Sequence, residues 1–165
     1  MSRSQSGTNQ GRSAVVVLGS ANLWSGGTRV TSTNVQMHAS YNMNNLNNDI
    51  AIIVIPWVNF NNNINRVVIA TGSNSYAGTW AVAAGYGRIA DNNAGNQAKR
   101  DVSVQVITNA ACASIYGTGV VINAVLCTST TGGRGVCSGD SGGPLTIGSG
   151  NSRQLIGVTC FVHAQ

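Results

Sequence analysis

Glutamate is absent from this 165-residue chain, and charged residues of every kind make up only 8% of it. Solvent-facing helices draw on Glu, Lys, Arg and Gln. A chain that instead carries 21 glycines and many asparagines suits short strands joined by turns. Its hydrophobic share, 42%, argues against a disordered polymer. No apolar run approaches the length that crosses a bilayer, so no membrane partner is expected. The opening Met1-Ser2-Arg3-Ser4-Gln5-Ser6-Gly7 has no apolar stretch of the kind a secretory leader needs; a secreted product is expected to carry its leader outside this sequence. The net charge is +5, but the nine Lys and Arg residues are scattered without aromatic interleaving, and no nucleic-acid groove is expected. Two well-separated histidines and no Cys-x-x-Cys pair give no metal site.

What the chain does have is a series of short apolar runs between turn residues. Strands are predicted over 14–18, 28–37, 49–55, 78–84, 100–107, 120–127, 144–147 and 154–161. The run over 49–55 is nearly unbroken and stops at Pro56, which suits a buried strand. Over 100–107, Val102, Val104 and Val106 alternate onto one face. One short helix is predicted over 108–116, capped by Thr108 or Asn109. The segment 59–65, with five asparagines in seven residues, is a loop. Many short strands at this spacing indicate an antiparallel sandwich or barrel. The length allows one good core or two small ones.

The strongest chemical signal is Cys137-Ser138-Gly139-Asp140-Ser141-Gly142-Gly143-Pro144-Leu145. It sets a serine on a tight turn whose flanking glycines leave peptide N–H groups open to an approaching carbonyl. A serine hydroxyl is a weak nucleophile until a base takes its proton and donors hold the developing oxyanion. A second signal is Asp49 in Asn47-Asn48-Asp49-Ile50-Ala51. Taken alone, it reads as a turn or capping aspartate.

Together these segments resemble the chymotrypsin-like serine proteases. The nine-residue serine motif matches that family throughout, and Asn48-Asp49-Ile50-Ala51 matches its acid segment. The resemblance runs over 14–165 and is closest to the disulfide-poor digestive chymotrypsins of insects. It implies an all-β fold of two antiparallel Greek-key barrels, both incomplete in this chain. One protease domain over 1–165 is implied, with an N-terminal barrel part at about 14–70 and a C-terminal part at about 71–165. It implies Ser141 as nucleophile, Asp49 as the group orienting an imidazole, and the Gly139 and Ser141 N–H groups as oxyanion hole. Asp140 matches the acceptor of a newly cleaved N-terminal amine, and is expected to hold its loop loosely if that amine is missing.

The same resemblance implies a substrate pocket of Gly135, Val136, Ser138, Cys160, Phe161 and Val162. With glycine at 135 there is no carboxylate to pair with a substrate Lys or Arg, so cleavage after apolar residues is expected. Val162, where the family usually has glycine, is expected to narrow the entrance toward small or medium side chains. Cys112 and Cys127 match a family disulfide, which implies an oxidising compartment. Cys137 matches a cysteine whose family partner lies beyond Gln165, and Cys160 stands where the family has serine; their pairing stays open.

Neither His38 nor His163 matches the Ala-Ala-His-Cys segment that carries the family's base. The chain is therefore expected to be a truncated, nearly inactive fragment that folds poorly alone. The expected function is a secreted, monomeric serine endopeptidase, suited to a gut lumen. It would act on protein or peptide substrates and meet protease inhibitors, with no cofactor. The rival readings are a non-catalytic protease homologue that binds proteins through the old cleft, and a small β-rich binding domain with a chance motif.

Overall fold

The computed structural model describes residues 13–90, 95 and 97–162. Strands β1 (Ala14–Leu18) and β2 (Thr28–Ser32) pair antiparallel, as do β3 (Val35–Met37) and β4 (Ala51–Ile53). The rest form one sheet of β5 (Val68–Ile69), β6 (Trp80–Gly85), β7 (Arg100–Ile107), β8 (Cys127–Thr128), β9 (Pro144–Ile147) and β10 (Gln154–Val158). Their spatial order is β5-β10-β9-β6-β7-β8; β5 runs parallel to β10, and the other pairs are antiparallel.

The core follows from period-two patterning. Ala81 and Ala83 of β6 lie inward with Val104 and Val106 of β7 and Leu145 of β9. Ala81 pairs directly with Val104 across the sheet, so a small side chain faces a branched one. Tyr76, Val102, Leu126, Val136, Ile147 and Ile156 pack against this cluster.

Three strand expectations are corrected. The run 28–37 breaks into β2 and β3 because Ser32 turns its hydroxyl inward to the Val54 carbonyl, while Asn34 N donates to Ser32 Oγ. Val54 N then donates to Asn34 O, and the chain changes partner from β1 to β4. The run 49–55 is not a buried strand. Only β4 forms there, with Ile52 63% and Ile53 41% exposed. Its two-strand ribbon has no layer over it among the described residues. The run 120–127 is mostly successive turns, with Val121 N donating to Gly117 O and Val125 N to Ile122 O. Only Cys127 and Thr128 join β7.

Helix α1 (Asn109–Tyr116) forms as expected, with Thr108 Oγ1 accepting from Ala111 N at 3.2 Å. It ends at Gly117, whose φ of 83° removes it from helical geometry while its N–H reaches Ala113 O. Cys112 on the buried side of α1 is bonded to Cys127 of β8, a separation of 15 residues. Cys137 and Cys160 are free thiols. Closing a loop of this length restricts the unfolded chain, and Cys127→Ser is expected to lower stability by about 3 kcal/mol. Urea denaturation of the two proteins checks it; an unchanged midpoint would remove the disulfide from the account.

Candidate active site

The loop before β9 carries the serine motif and is closed by its own backbone. Asp140 N donates to Cys137 O and Gly143 N to Asp140 O. Beyond β10, Gly142 N donates to Thr159 O and Thr159 N to Gly143 O, at 2.7 and 2.8 Å. A one-residue register shift between Leu155 and Gly157, the kind of irregularity that locally bends a strand, precedes this exchange.

The Asp140 carboxylate provides the main clamp. Its Oδ1 accepts from Gly87 N at 2.8 Å and its Oδ2 from Cys137 N at 2.9 Å. Arg88 N donates to Ser138 O at 3.0 Å, fixing the same two segments together. Asp140 is therefore engaged on both oxygens, and these bonds tie its loop to the turn after β6. The approach is close enough that a Cβ on Gly87 would stand 2.6 Å from Asp140 Cγ. Gly139 is constrained twice: its φ is +100°, and a Cβ there would lie 2.9 Å from Gly87 Cα. Among the described residues, none accepts a hydrogen bond from the Gly139 or Ser141 N–H.

Asp49 arrives from the other half of the chain. Asparagine turns shape the loop before it: Asn44 N donates to Asn42 Oδ1 and Asn47 N to Asn45 Oδ1. Asn48, with φ 60°, anchors its side chain on Ser40 O at 2.9 Å and reverses the backbone just before Asp49. Asn47 Nδ2 reaches Gly119 O at 3.2 Å, so this loop is fastened to the segment after α1.

Asp49 and Ser141, 92 positions apart by their numbers, meet on one residue. Cys160 Sγ donates to Asp49 Oδ2 at 3.1 Å, and Cys160 O accepts from Ser141 Oγ at 3.2 Å. Asp49 and Ser141 are themselves exposed, so both face solvent across Cys160. Burial, the hydrogen bond to Asp49 and that carboxylate's charge push the Cys160 thiol up to about 12.

Of the other expected pocket residues, Phe161 stacks edge-on against Tyr116 of α1, with ring centroids 5.3 Å apart. Val136 packs against the core cluster, while Val162 is exposed. A Cβ on Gly135 would meet only Thr130 Cγ2, at 3.6 Å. His38 is exposed, and its Nδ1 accepts from Ser40 N at 3.1 Å. His163 lies outside the described residues. Among the described residues, no three of His, Cys, Asp and Glu gather as metal ligands. Sequence reading missed Gly87 and Tyr116. The Gly85-Tyr86-Gly87 spacing was the available signal for the first; nothing local marks the second.

Comparison with known proteins decides the lineage. The trypsin family model matches residues 6–165. The chain belongs to the trypsin family. It is 37% identical over 138 residues to Serine protease 1 of Drosophila melanogaster, covering 82% of this chain and 50% of that protein. It is 34% identical to the collagenase of Hypoderma lineatum over 153 residues, covering 91% of this chain and 57% of that protein. The chain thus spans about half the length of the curated relatives it matches. The solved structure of HL collagenase superposes with a TM-score of 0.82 at 34% identity, covering 92% of this chain and 65% of its own. The all-β architecture with one short helix is accordingly that of the chymotrypsin-like trypsin fold.

Proposed function

We propose that this trypsin-family protein is a secreted serine endopeptidase, cleaving protein or peptide chains by acyl transfer to Ser141. The observation that carries the reading is the convergence of Asp49 and Ser141 on Cys160. In this reading Ser141 Oγ attacks the scissile carbonyl and the Gly139 and Ser141 N–H groups receive the oxyanion. Asp49 orients the imidazole that takes the serine proton. His38 is not given that role, since its Nδ1 is held by Ser40 N. The Cys112–Cys127 bond supports an oxidising, extracellular compartment.

Cleavage after apolar residues is the proposed preference. Gly135 supplies no charge to a substrate Lys or Arg, and exposed Val162 takes up space at the pocket strand. Val136, packed on the core cluster, contributes less pocket wall than its position suggests.

A fluorophosphonate probe tests the reading. With His38 Nδ1 held by Ser40 N, this chain is expected to label slowly at Ser141, since a serine working without its base keeps only about 10³–10⁴-fold acceleration over water. General-base assistance is worth about 10²–10⁴-fold, so added imidazole should raise labelling by at least about tenfold. Ser141→Ala abolishes it. No labelling of Ser141 in a folded chain, with or without imidazole, would overturn the reading in favour of a non-catalytic homologue binding proteins through the cleft.

A further inference from the structure

His38 does with an imidazole what this chain elsewhere does with an amide or a hydroxyl. In one recurring turn, a side-chain acceptor takes the backbone N–H two residues further on. Asparagine Oδ1 does so at Asn22, Asn42, Asn45, Asn61 and Asn74, at 2.8 to 3.1 Å. Serine hydroxyls do so at Ser20, Ser32, Ser75 and Ser129. At residue 38 the acceptor is His38 Nδ1, which takes Ser40 N at 3.1 Å. Amide and hydroxyl oxygens keep their lone pairs at any ordinary pH. A neutral imidazole has a single acceptor nitrogen, and protonation converts it into a donor. Among the described residues, His38 is thus the acceptor of this kind that a proton can abolish, and it is exposed to solvent.

The bond it makes is the first of a short series leading to Asp49. Ser40 is held from both sides: its N–H by the His38 ring, its carbonyl by Asn48 Nδ2 at 2.9 Å. Asn48 has φ 60°, and its own carbonyl accepts from Ile50 N at 2.8 Å. The backbone of Asp49 therefore leaves a turn whose side-chain anchor is the Ser40 carbonyl.

We propose that His38 is a pH-sensitive latch on the loop that carries Asp49. The neutral ring fixes Ser40, and through Ser40 and Asn48 it fixes the turn from which Asp49 emerges; the protonated ring lets go. The consequence for acylation rests on the protease reading above, whereas the latch itself does not. An imidazolium would set an N–H against the Ser40 N–H, so the two part and water takes the freed donor. The loop loosens without unfolding, because His38 N still donates to Ile50 O and Asn42 still pairs with Asn47. Closure belongs to the neutral ring. It is complete at the alkaline end and is lost as pH falls through the range in which imidazoles take up a proton. The strand paired with β3, β4, carries no titratable side chain. On the loop between them the other titratable groups are Tyr41 and Asp49, and the Asp49 carboxylate is engaged by Cys160 Sγ.

The test begins with nuclear magnetic resonance, which does not depend on peptidase activity. The isotope-labelled chain is titrated from about pH 8 to about pH 5, the interval of imidazole charging. The Ser40 backbone amide and the Asn48 side-chain amide are expected to move together, with the midpoint of the His38 ring. His38→Asn supplies the acceptor that this chain uses at its other turns, without a proton to gain. In H38N both signals should stay at their closed positions throughout. His38→Ala has no acceptor and should show the open positions at every pH. Ser40 and Asn48 signals that ignore the His38 titration, or that move equally in H38N, overturn the latch.

The second arm reads the coupling to the site. Fluorophosphonate labelling of Ser141 is measured with added imidazole, and each rate is taken as the ratio of H38N to parent. The charging of the added imidazole then cancels. The ratio is expected to be near one at about pH 8 and to rise about threefold to tenfold by about pH 5, the factor that one lost hydrogen bond supplies. A ratio that stays flat overturns the coupling to Ser141. Should Ser141 fail to label in both proteins, the protease reading falls, while the Ser40 and Asn48 signals still decide whether His38 latches the loop.

Discussion

Gly139→Ala is expected to slow acylation of Ser141 by about 10²–10³-fold, the usual consequence of displacing one oxyanion donor. The cause is geometric. At φ +100° the peptide holds a conformation that side chains rarely adopt, and the added Cβ would stand 2.9 Å from Gly87 Cα. Gly87 is backbone, and its N–H is already committed to Asp140, so it cannot move aside cheaply. The loop would relieve the contact by rotating the Gly139 peptide, which carries the N–H assigned to the oxyanion. Folding should suffer much less, by about 1–3 kcal/mol for a strained backbone residue. Fluorophosphonate labelling with imidazole, compared at equal folded fraction by circular dichroism, measures this. A variant that is folded and labels at the parental rate would mean the oxyanion is held elsewhere.

Asp140→Ala is the second large effect. It leaves the Gly87 and Cys137 N–H groups without their acceptor, and each half-buried orphan donor costs on the order of 1–3 kcal/mol. Water can enter the vacated space, so a total loss of about 2–4 kcal/mol is expected rather than the upper sum. Asp140→Asn keeps one acceptor oxygen but sets an amide N–H₂ against a second donor, so it should recover only part. Urea midpoints for the three proteins give the comparison. Parental stability in D140A would show that the clamp between the serine loop and the Gly85-Tyr86-Gly87 turn is not structural. Loss of labelling in D140N with stability intact would instead assign the carboxylate to shaping the loop.

Much of the architecture was legible along the chain because its signals are local. Alternation of Val102, Val104 and Val106 needs only the period of a strand, and the Thr108 cap needs only three following residues. The split at 33–34 was not legible. It depends on the Ser32 hydroxyl finding Val54 O, 22 residues away, and no local pattern encodes that pairing. The run 49–55 misled for a related reason. Apolar composition measures what a strand could bury, whereas Ile52 and Ile53 stay exposed because β4 has β3 as its partner and no layer above. The two backbone donors on the Asp140 carboxylate were not legible either, because one of them, Gly87 N, lies 53 positions away.

By itself the sequence determined which atoms could do chemistry. The motif around Ser141, the aspartate at 49 and the glycine at 139 are properties of residue type and order. Only the tertiary structure decided that Asp49 and Ser141 share Cys160, that Gly87 backs both Gly139 and Asp140, and that Val136 faces the core. The physical reason is range. Turn and strand preferences act over a few residues, but a hydrogen bond spanning 111 positions exists only once the sheet has brought its ends together.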